Sequence, residues 1–439
     1  MDFNIEDFGA DVKNLNNACY IQDAIDSCFS NKGGRVIIPA GKTYFSGTIV
    51  LKDNVELYFE NGACLKASNN FNDFDYFKRH LKYSDKLETP SYTNCDYNGK
   101  PSLYFIYANQ AKNIKITGFG TIDGNGIIYK GFEDKYFIDG KFYPRMPLIF
   151  LEGVEGLTIK DITLANSAFW TLHLVGVNDG LIDGIRINNS LKTANCDGID
   201  PDHCKNLRIS NCFIHCADDA IVFKNTAAEK KYGNCENISV TNCNIITTSA
   251  GFKFGTESCS LFKNITITNC NIFNSNRGIS IQLRDEGSIE NIIFSNINID
   301  TRIFAKQYYW GSSEPICITA VKRKEDTKIG HVKNIVFRNI NANSENGILI
   351  YGEDETNISN ISFDTVNLSI ENKSKWPKIF KDLRPYYKFE MLEDKVNVLY
   401  LRNAKNVKFM NFNYEVNHNM DEFKGEDFDL KNAENFKVN

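Results

Sequence analysis

The fold is decided by a short repeated stretch, of which one copy is Asn264-Ile265-Thr266-Ile267-Thr268-Asn269-Cys270. Each copy begins with Asn or Gly, continues with alternating apolar residues, and in most later copies reaches another Asn five positions after the first. Most copies follow one another at about 26 residues, and the longer intervals fit a turn that carries an inserted loop. The leading positions are Asn113, Gly156, Gly180, Asn206, Asn237, Asn264, Asn291, Asn334, Asn360 and Asn406.

This repeat predicts a solenoid made of strands. Short β-rich runs with period-two alternation and no helical stripe are typical of strands, and a repeat of this length places each turn on the previous one. A side-chain amide both donates and accepts, so the recurring Asn residues are expected to bond to their copies above and below. We therefore predict an all-β, single-stranded parallel β-helix with inserted loops. We expect one domain over 1–439, with a cap and first coils in 1–65, looped coils in 66–415 and a C-terminal tail in 416–439.

Composition limits the classes of partner. The 439 residues carry a formal net charge of −5, with both signs interspersed, so there is no basic face for nucleic acid or an anionic membrane. No apolar run is long enough to span a bilayer. The opening Met1-Asp2-Phe3-Asn4 lacks the charged and apolar regions of a signal peptide, which predicts a cytoplasmic protein, or a secreted one if a signal was removed. The oligomeric state is left open.

The 13 cysteines raise the question of metal or disulfides. Cys212, Cys243 and Cys270 each lie six residues after their coil's leading Asn, so we expect them to occupy one buried column. The odd total and the missing signal argue against a disulfide framework, and no CxxC pair indicates zinc. We expect structural thiols, with no metal and no cofactor.

Three carboxylates carry the candidate chemistry. Asp197, in Asn195-Cys196-Asp197-Gly198-Ile199-Asp200, lies 21 and 22 residues before Asp218 and Asp219. Residues about one period apart stack on neighbouring turns of a solenoid, which predicts that the three side chains converge in one pocket. Splitting a glycosidic bond requires one protonated carboxyl and one ionised carboxylate. Close like charges raise the pKa of at least one of them, which keeps a proton available.

Several motifs also resemble a known family. The segments Asp7–Ala10 and Gly33–Gly41 resemble the cap and first coils of the pectate-lyase-like right-handed β-helix superfamily. The segments Gly118–Gly124 and Asn166–His173, with the two Asp motifs, resemble glycoside hydrolase family 28, the polygalacturonases, and the resemblance runs from about residue 5 to beyond 300. It implies right-handed coils, Asp218 as general acid, Asp197 and Asp219 as the base that holds a water, and inversion of configuration.

The chain departs from this family where the substrate is bound. The family has Gly-His-Gly where this chain has Ser249-Ala250-Gly251, and Arg-Ile-Lys where it has Ser280-Ile281-Gln282. Cations occur on other turns of the same columns, namely Lys253 with Ser280, Lys224 with Gln282, and Arg277 with Ala250. Each such shift moves a charge by about 4.8 Å per turn. The residues that we predict to contact an acidic substrate are Asp200, Lys224, Lys253, Arg277, Gln282 and Trp310.

Alternatives to this assignment stay open. Lys224 and Lys253 could instead neutralise the Asp cluster, and Asp200 and Asp202 could form a turn. Four insertions, at 69–105, 127–146, 302–330 and 371–398, interrupt the repeat. Loops of this kind close the ends of a groove, which predicts exo action. With the family resemblance, this implies an exo-acting, inverting hydrolase of pectin-like or other acidic oligosaccharides. The other candidates are a Ca²⁺-dependent polysaccharide lyase with Arg277 as base, and an inactive carbohydrate-binding β-helix.

Overall fold

The computed structural model describes residues 1–75, 103–141, 145–355, 357–389 and 391–439. They form two compact units, Met1–Cys216 and Ala217–Asn439. Each unit consists almost entirely of parallel strands, as the alternating pattern predicts. The prediction of a single domain over 1–439 stays a prediction. No helix among the described residues is both long and apolar enough to cross a lipid bilayer.

The first unit begins with a capping helix, α1 (Ala18–Ser30), which buries Ile21 and Ile25. Two short 3-10 turns flank this region, at Ile5–Phe8 and Phe71–Asp75, and a third follows at Gly126–Tyr129. The strands of the first unit are β1 (Asp2–Asn4), β2 (Gly34–Ile38), β3 (Thr43–Ser46), β4 (Ile49–Val50), β5 (Val55–Phe59), β6 (Cys64–Ala67), β7 (Ile106–Asn109), β8 (Lys112–Gly118), β9 (Thr121–Asp123), β10 (Lys130–Glu133), β11 (Ile138–Gly140), β12 (Ile149–Glu152), β13 (Glu155–Lys160), β14 (Thr163–Ala165), β15 (Leu172–Val175), β16 (Asn178–Asp183), β17 (Arg186–Asn188), β18 (Ile199–Asp202), β19 (Lys205–Ser210) and β20 (Phe213–Cys216).

Three stacks of parallel strands run through the first unit, and most coils contribute one strand to each stack. The first stack pairs β4, β7, β12, β15 and β18 in order. The second pairs β1, β2, β5, β8, β13, β16 and β19. The third pairs β3, β6, β9, β14, β17 and β20. Only β10 and β11, inside the 127–146 insertion, pair with each other in antiparallel fashion within the described part of this unit.

The second unit continues the same pattern with longer strands. Its 3-10 turns are Ala227–Tyr232 and His418–Met420. Its strands are β21 (Ile221–Asn225), β22 (Cys235–Thr241), β23 (Asn244–Thr247), β24 (Ala250–Ser258), β25 (Leu261–Ser275), β26 (Arg277–Leu283), β27 (Ser288–Thr301), β28 (Ile316–Ala320), β29 (Val332–Ser344), β30 (Ile348–Gly352), β31 (Ile358–Ile370), β32 (Phe380–Asp382), β33 (Met391–Glu393), β34 (Leu399–Val416), β35 (Phe428–Glu434) and β36 (Lys437–Val438).

The second unit has two parallel stacks around an apolar core. One stack pairs β21, β24, β26, β28, β30 and the start of β34. The other pairs β22 and β23 with β25, then β27, β29, β31 and β34. In the core, Phe294, Phe337, Phe363 and Phe409 stack with ring centroids 5.1, 4.8 and 4.2 Å apart. Each of these rings stands three residues after a leading Asn, so the repeat also aligns the core.

The predicted Asn ladder is confirmed. Asn264 Nδ2 donates to Asn237 Oδ1 over 3.1 Å, and Asn334 Nδ2 donates to Asn291 Oδ1 over 3.1 Å. These corner residues have a left-handed backbone, with φ of 58° at Asn334, a conformation that Asn tolerates better than most residues. The amide therefore has two roles at each corner, since it bonds along the stack and turns the chain. The cysteine column is also buried, with Cys212, Cys243 and Cys270 each at 1% exposure.

Much of the segment 416–439, predicted from the sequence as a C-terminal tail, forms strands on the last coil. β35 and β36 pair with β34 in parallel register, and Asn435 Nδ2 extends the ladder to Asn406 Oδ1 over 3.1 Å. The polar composition of the segment concealed strands that are largely solvent-exposed. Of the predicted insertion at 69–105, residues 76–102 lie outside the described part of the chain.

Candidate active site

The candidate site of the second unit lies on the outer face of β21, β24 and β26. Along these strands, Ile221, Phe252 and Ile279 point into the core in matching register. Side chains one residue further on point outward, which puts Lys253 directly beside Ser280. Ala250 likewise pairs with Arg277, so two of the three predicted columns are confirmed. The register shifts between Phe223 and Asn225, which leaves Lys224 at an irregularity.

Asp219 is a buried carboxylate with three donors. Lys253 Nζ donates to its Oδ2 over 2.5 Å, and Ser249 Oγ donates to its Oδ1 over 2.7 Å. The backbone N–H of Ala250 donates to the same Oδ1 over 3.1 Å. The side chain of Asp219 is only 3% exposed and that of Lys253 only 14%. Such contacts hold the ionised form of a carboxylate in one orientation.

Asp218 stands in a different electrostatic setting from its neighbour. Burial, followed by the negative charge of Asp219, raises the pKa of Asp218 to about 6, although Lys253 and Lys224 oppose the shift. Burial also disfavours the charged form of Asp219, but the charge and hydrogen bond of Lys253 outweigh it and lower the pKa of Asp219. The pair thus combines one carboxyl of raised pKa with one of lowered pKa, which is the division of roles that acid–base catalysis requires.

Lys224 lies in a buried ion pair. Its Nζ is 3.3 Å from Glu257 Oε2, and the two side chains are 4% and 5% exposed. Burial opposes the ionisation of Glu257, but the charges of Lys224, Arg323 and Lys253 outweigh it and lower the pKa of that carboxyl. Lys224 therefore supports the charge balance around Asp218 and Asp219, as the alternative to substrate binding proposed.

The assignment of Arg277 to substrate contact is corrected by its surroundings. Its Nε donates to Glu314 Oε2 over 2.9 Å, and its Nη2 donates to Asp382 O over 2.9 Å. Arg277 is 3% exposed, so the guanidinium is engaged inside the protein. Both partners come from insertions, at 302–330 and 371–398, whose contacts the repeat does not reveal. The same burial removes Arg277 as the base of the lyase alternative.

The remaining predicted contacts of this unit differ in accessibility. Gln282 is 1% exposed, and its Nε2 has no hydrogen-bond partner among the described residues. Trp310 is partly exposed, and the guanidinium of Arg384 lies 5.1 Å from its ring centroid. The carbonyl of Trp310 accepts a hydrogen bond from Asn276 Nδ2 over 2.7 Å, which ties its loop to the start of β26.

Asp197 and Asp200 belong to the first unit, and both are buried. Asp197 is 2% exposed, at the turn that leads into β18, and its carbonyl accepts from Thr171 N over 3.0 Å. Asp200 lies within β18 rather than in a turn, and pairs in register with His173 on β15. Two residues on, Asp202 Oδ2 lies 3.4 Å from Nε2 of His173. The convergence of Asp197 with Asp218 and Asp219 stays a prediction.

Sequence comparison decides the family. The profile described as "Glycosyl hydrolases family 28" matches residues 28–381. The chain belongs to glycosyl hydrolase family 28. Among curated relatives, it is 33% identical over 227 residues to "Probable polygalacturonase" of Vitis vinifera, which covers 50% of this chain and 43% of that protein. It is 30% identical over 260 residues to "Endo-polygalacturonase" of Pectobacterium carotovorum subsp. carotovorum, which covers 55% of this chain and 58% of the relative.

Structural comparison agrees on the fold. An exopolygalacturonase from Thermotoga maritima superposes with a TM-score of 0.70 at 20% identity, covering 94% of this chain and 91% of that one. At this identity the likeness shows the fold alone, the right-handed parallel β-helix. This family 28 chain spans about half the length of the curated relatives that it matches.

Sequence reasoning missed several residues of the site. Glu257, Glu314, Asp382 and Arg384 all carry charges beside the predicted residues. Three of the four stand in or next to insertions, where no period assigns a position. Ser249 lies in the motif that lacks the family's His, and its hydroxyl donates a hydrogen bond to Asp219. The only available signal was an unusual density of charge within the insertions.

Proposed function

We propose that this chain is an inverting glycoside hydrolase that cleaves pectin-like acidic oligosaccharides, and that it acts on chain ends. The observation that carries the proposal is a buried carboxyl pair in a chain of family 28, in which Asp219 is held by Lys253, Ser249 and the N–H of Ala250 and the neighbouring Asp218 has a raised pKa. The insertions around 302–330 and 371–398 support action on short chains, because their residues cover part of the outer face.

Roles follow from the two protonation states. Asp218, which retains its proton, gives it to the leaving glycosidic oxygen. Asp219, held ionised by Lys253, takes a proton from the attacking water. Ser249 and the N–H of Ala250 aim one oxygen of Asp219, which leaves the base in a fixed orientation. Water then attacks on the opposite face of the sugar from the acid, and the configuration inverts.

This division of roles predicts an acidic pH optimum. Activity requires Asp218 protonated, so kcat/KM should fall about tenfold per pH unit above the raised pKa of about 6. It also requires Asp219 ionised, so the lower limb should lie below the ordinary value of 3.8. The pair titrates as a unit, and the limbs belong to both carboxyls. A pH–rate profile that is still rising at pH 8 would contradict these roles.

The ion pair of Lys253 with Asp219 predicts independence from metal. The ammonium already bonds Asp219 Oδ2 and offsets the negative charge that would otherwise attract a cation. Activity should therefore be unchanged after dialysis against EDTA, and added Ca²⁺ should not increase it. Loss of activity on chelation, with recovery on Ca²⁺ and a product that absorbs as an unsaturated uronide, would favour the lyase.

The deciding experiment is digestion of defined oligogalacturonates and of neutral oligosaccharides of the same length. Mass spectrometry should show one sugar released per event from the chain end, without the mass loss of an elimination. Proton NMR during the first turnovers should show the inverted anomer first. Products from mid-chain cleavage would contradict the exo mode, and an absence of any cleavage across the panel would favour the carbohydrate-binding alternative.

A further inference from the structure

Two insertions meet over β26 in the second unit, and a segment of one of them lies beside that strand. Arg277, at the start of β26, donates from Nη2 to Asp382 O over 2.9 Å. Arg284, just past its end, donates from Nη2 to Leu383 O over 3.1 Å. Segment 382–384 therefore lies over the outer face of the sheet beside β26, where Leu383 packs in one apolar cluster with Cys317, the β28 neighbour of Ser280.

Arg384 is held in one orientation on this segment. Its Nε and Nη2 donate to the two carboxylate oxygens of Asp382, over 3.0 and 2.6 Å. Its guanidinium lies 5.1 Å from the ring centroid of Trp310, within the range of a cation–π contact. Its side chain retains 14% exposure. Among the described residues no acceptor bonds its Nη1, so that end of the planar fork is open to a ligand.

The charges around Arg384 are unequal in number. Arg277 and Arg384 pair with Glu314 and Asp382, and Lys306 Nζ adds a third cation 3.6 Å from Asp382 Oδ2. Arg284 adds a fourth, which is fully buried, and its guanidinium donates to backbone carbonyl oxygens among the described residues. Arg323 and Asp285 form a further ion pair beside Arg284, so five cations lie near three carboxylates, a surplus that favours a bound anion.

The floor below segment 382–384 is polar and has unused hydrogen-bonding atoms. Ser280 Oγ, Gln282 Nε2 and Thr319 Oγ1 are buried, and none has a hydrogen-bond partner among the described residues. Gln282 and Thr319 face each other in register on β26 and β28. Buried polar atoms are rarely left without partners, so they indicate a place that water or a ligand fills.

We propose that Arg384 binds a carboxylate of the substrate, with Trp310 as the platform for the neighbouring sugar ring, and that it is the specificity residue for acidic chains. The cation that reads the acidic group thus comes from an insertion, whereas Lys253 serves Asp219. This inference rests on the proposed function for the identity of the ligand.

The position suits a sugar next to the one that is cleaved. Asn276 N donates to Ser249 O over 3.2 Å, and Asn276 Nδ2 donates to Trp310 O over 2.7 Å. Ser249 in turn bonds Asp219. Trp310 is therefore about two strand spacings, roughly 10 Å, from the reacting carboxylates, about the reach of one or two sugar rings.

The test measures binding, so that it does not depend on hydrolysis. Trigalacturonate and its fully methyl-esterified form are titrated calorimetrically into Asp218→Asn protein, with and without Arg384→Gln. Arg384→Gln should weaken binding of the acid about ten- to a hundred-fold and of the ester less than about threefold. Arg384→Lys keeps the charge and the ion pair with Asp382 but loses the planar guanidinium with its paired donors. It should weaken binding of the acid about three- to tenfold. Arg338→Gln, which breaks an exposed pair with Asp364, is the matched control and should change neither.

Each outcome decides the inference. If Arg384→Gln weakens binding of the acid and of the ester equally, or changes neither, the inference is overturned. If Arg384→Gln fails to unfold cooperatively, Arg384→Lys alone decides, because a selective loss on the acid supports the role and an unselective one removes it. Hydrolysis by the unmodified chain is assayed in parallel. A selective loss of acid binding without any hydrolysis would support this inference and reject the proposed function. Hydrolysis together with an equal effect of Arg384→Gln on acid and ester would support the proposed function and reject this inference.

Discussion

Asp218→Asn should lower kcat by about a hundred- to ten-thousand-fold while leaving oligosaccharide binding nearly unchanged. The amide keeps the size of the side chain, and its Oδ1 can still accept from Asp219 N, a contact of 3.0 Å. What it loses is the proton that burial and Asp219 retain on the carboxyl at about pH 6. The effect therefore falls on the transition state, where the leaving oxygen is protonated. Single-turnover rates and calorimetric titration measure the two quantities separately.

A matched control is Asp364→Asn. Asp364 Oδ2 accepts from Arg338 Nε over 3.1 Å, on the other strand stack of the second unit. The control changes the same residue type and also removes a charge, but Asp364→Asn should leave kcat within about twofold, since exposed ion pairs contribute little to stability. A loss of binding that equals the loss of kcat in Asp218→Asn would show that this residue holds the substrate rather than donating a proton.

Lys253→Met should remove both activity and stability. Asp219 would remain buried with its main counter-charge gone, which costs about 3–5 kcal/mol of the free energy of unfolding. Its pKa would rise, and the base would be protonated in the working range. We expect the same loss of kcat/KM, at least a hundred-fold, on acidic and on neutral substrates. Urea unfolding and paired assays measure the two effects.

The pH dependence of stability gives a second readout. The pKa of Asp219 is lowered by folding, so its contribution is present above 3.8 and is lost as the pH falls through the folded value. Lys253→Met should abolish this pH-dependent contribution of Asp219 to the free energy of unfolding. The double variant Lys253→Met with Asp219→Asn should recover most of the stability but no activity. A loss confined to acidic substrates would instead return Lys253 to the role of reading the substrate.

Much of the fold was predictable because it repeats. The Asn positions fixed the coil, and the register that they predict holds at Lys253 and Ser280. The partner of Arg277 was not predictable, since Glu314 belongs to an insertion and no period sets its place. The strands after residue 416 were missed because their outward polarity is that of a loop. The cytoplasmic location and the role of Asp197 stay predictions.

The hydrogen bonds of the Asn ladder keep nearly the same length whatever the number of residues between successive corners. Asn264 reaches Asn237 across 27 residues, and Asn334 reaches Asn291 across 43, yet both hydrogen bonds are 3.1 Å long. Asn406 reaches Asn360 across 46 residues over 2.9 Å. Because the corner amide meets its copy whatever lies between, loops can lengthen or be exchanged without disturbing the coils. Such a protein can acquire a new substrate when a single loop is replaced, while its reacting carboxylates stay at coil turns that the replacement leaves unchanged.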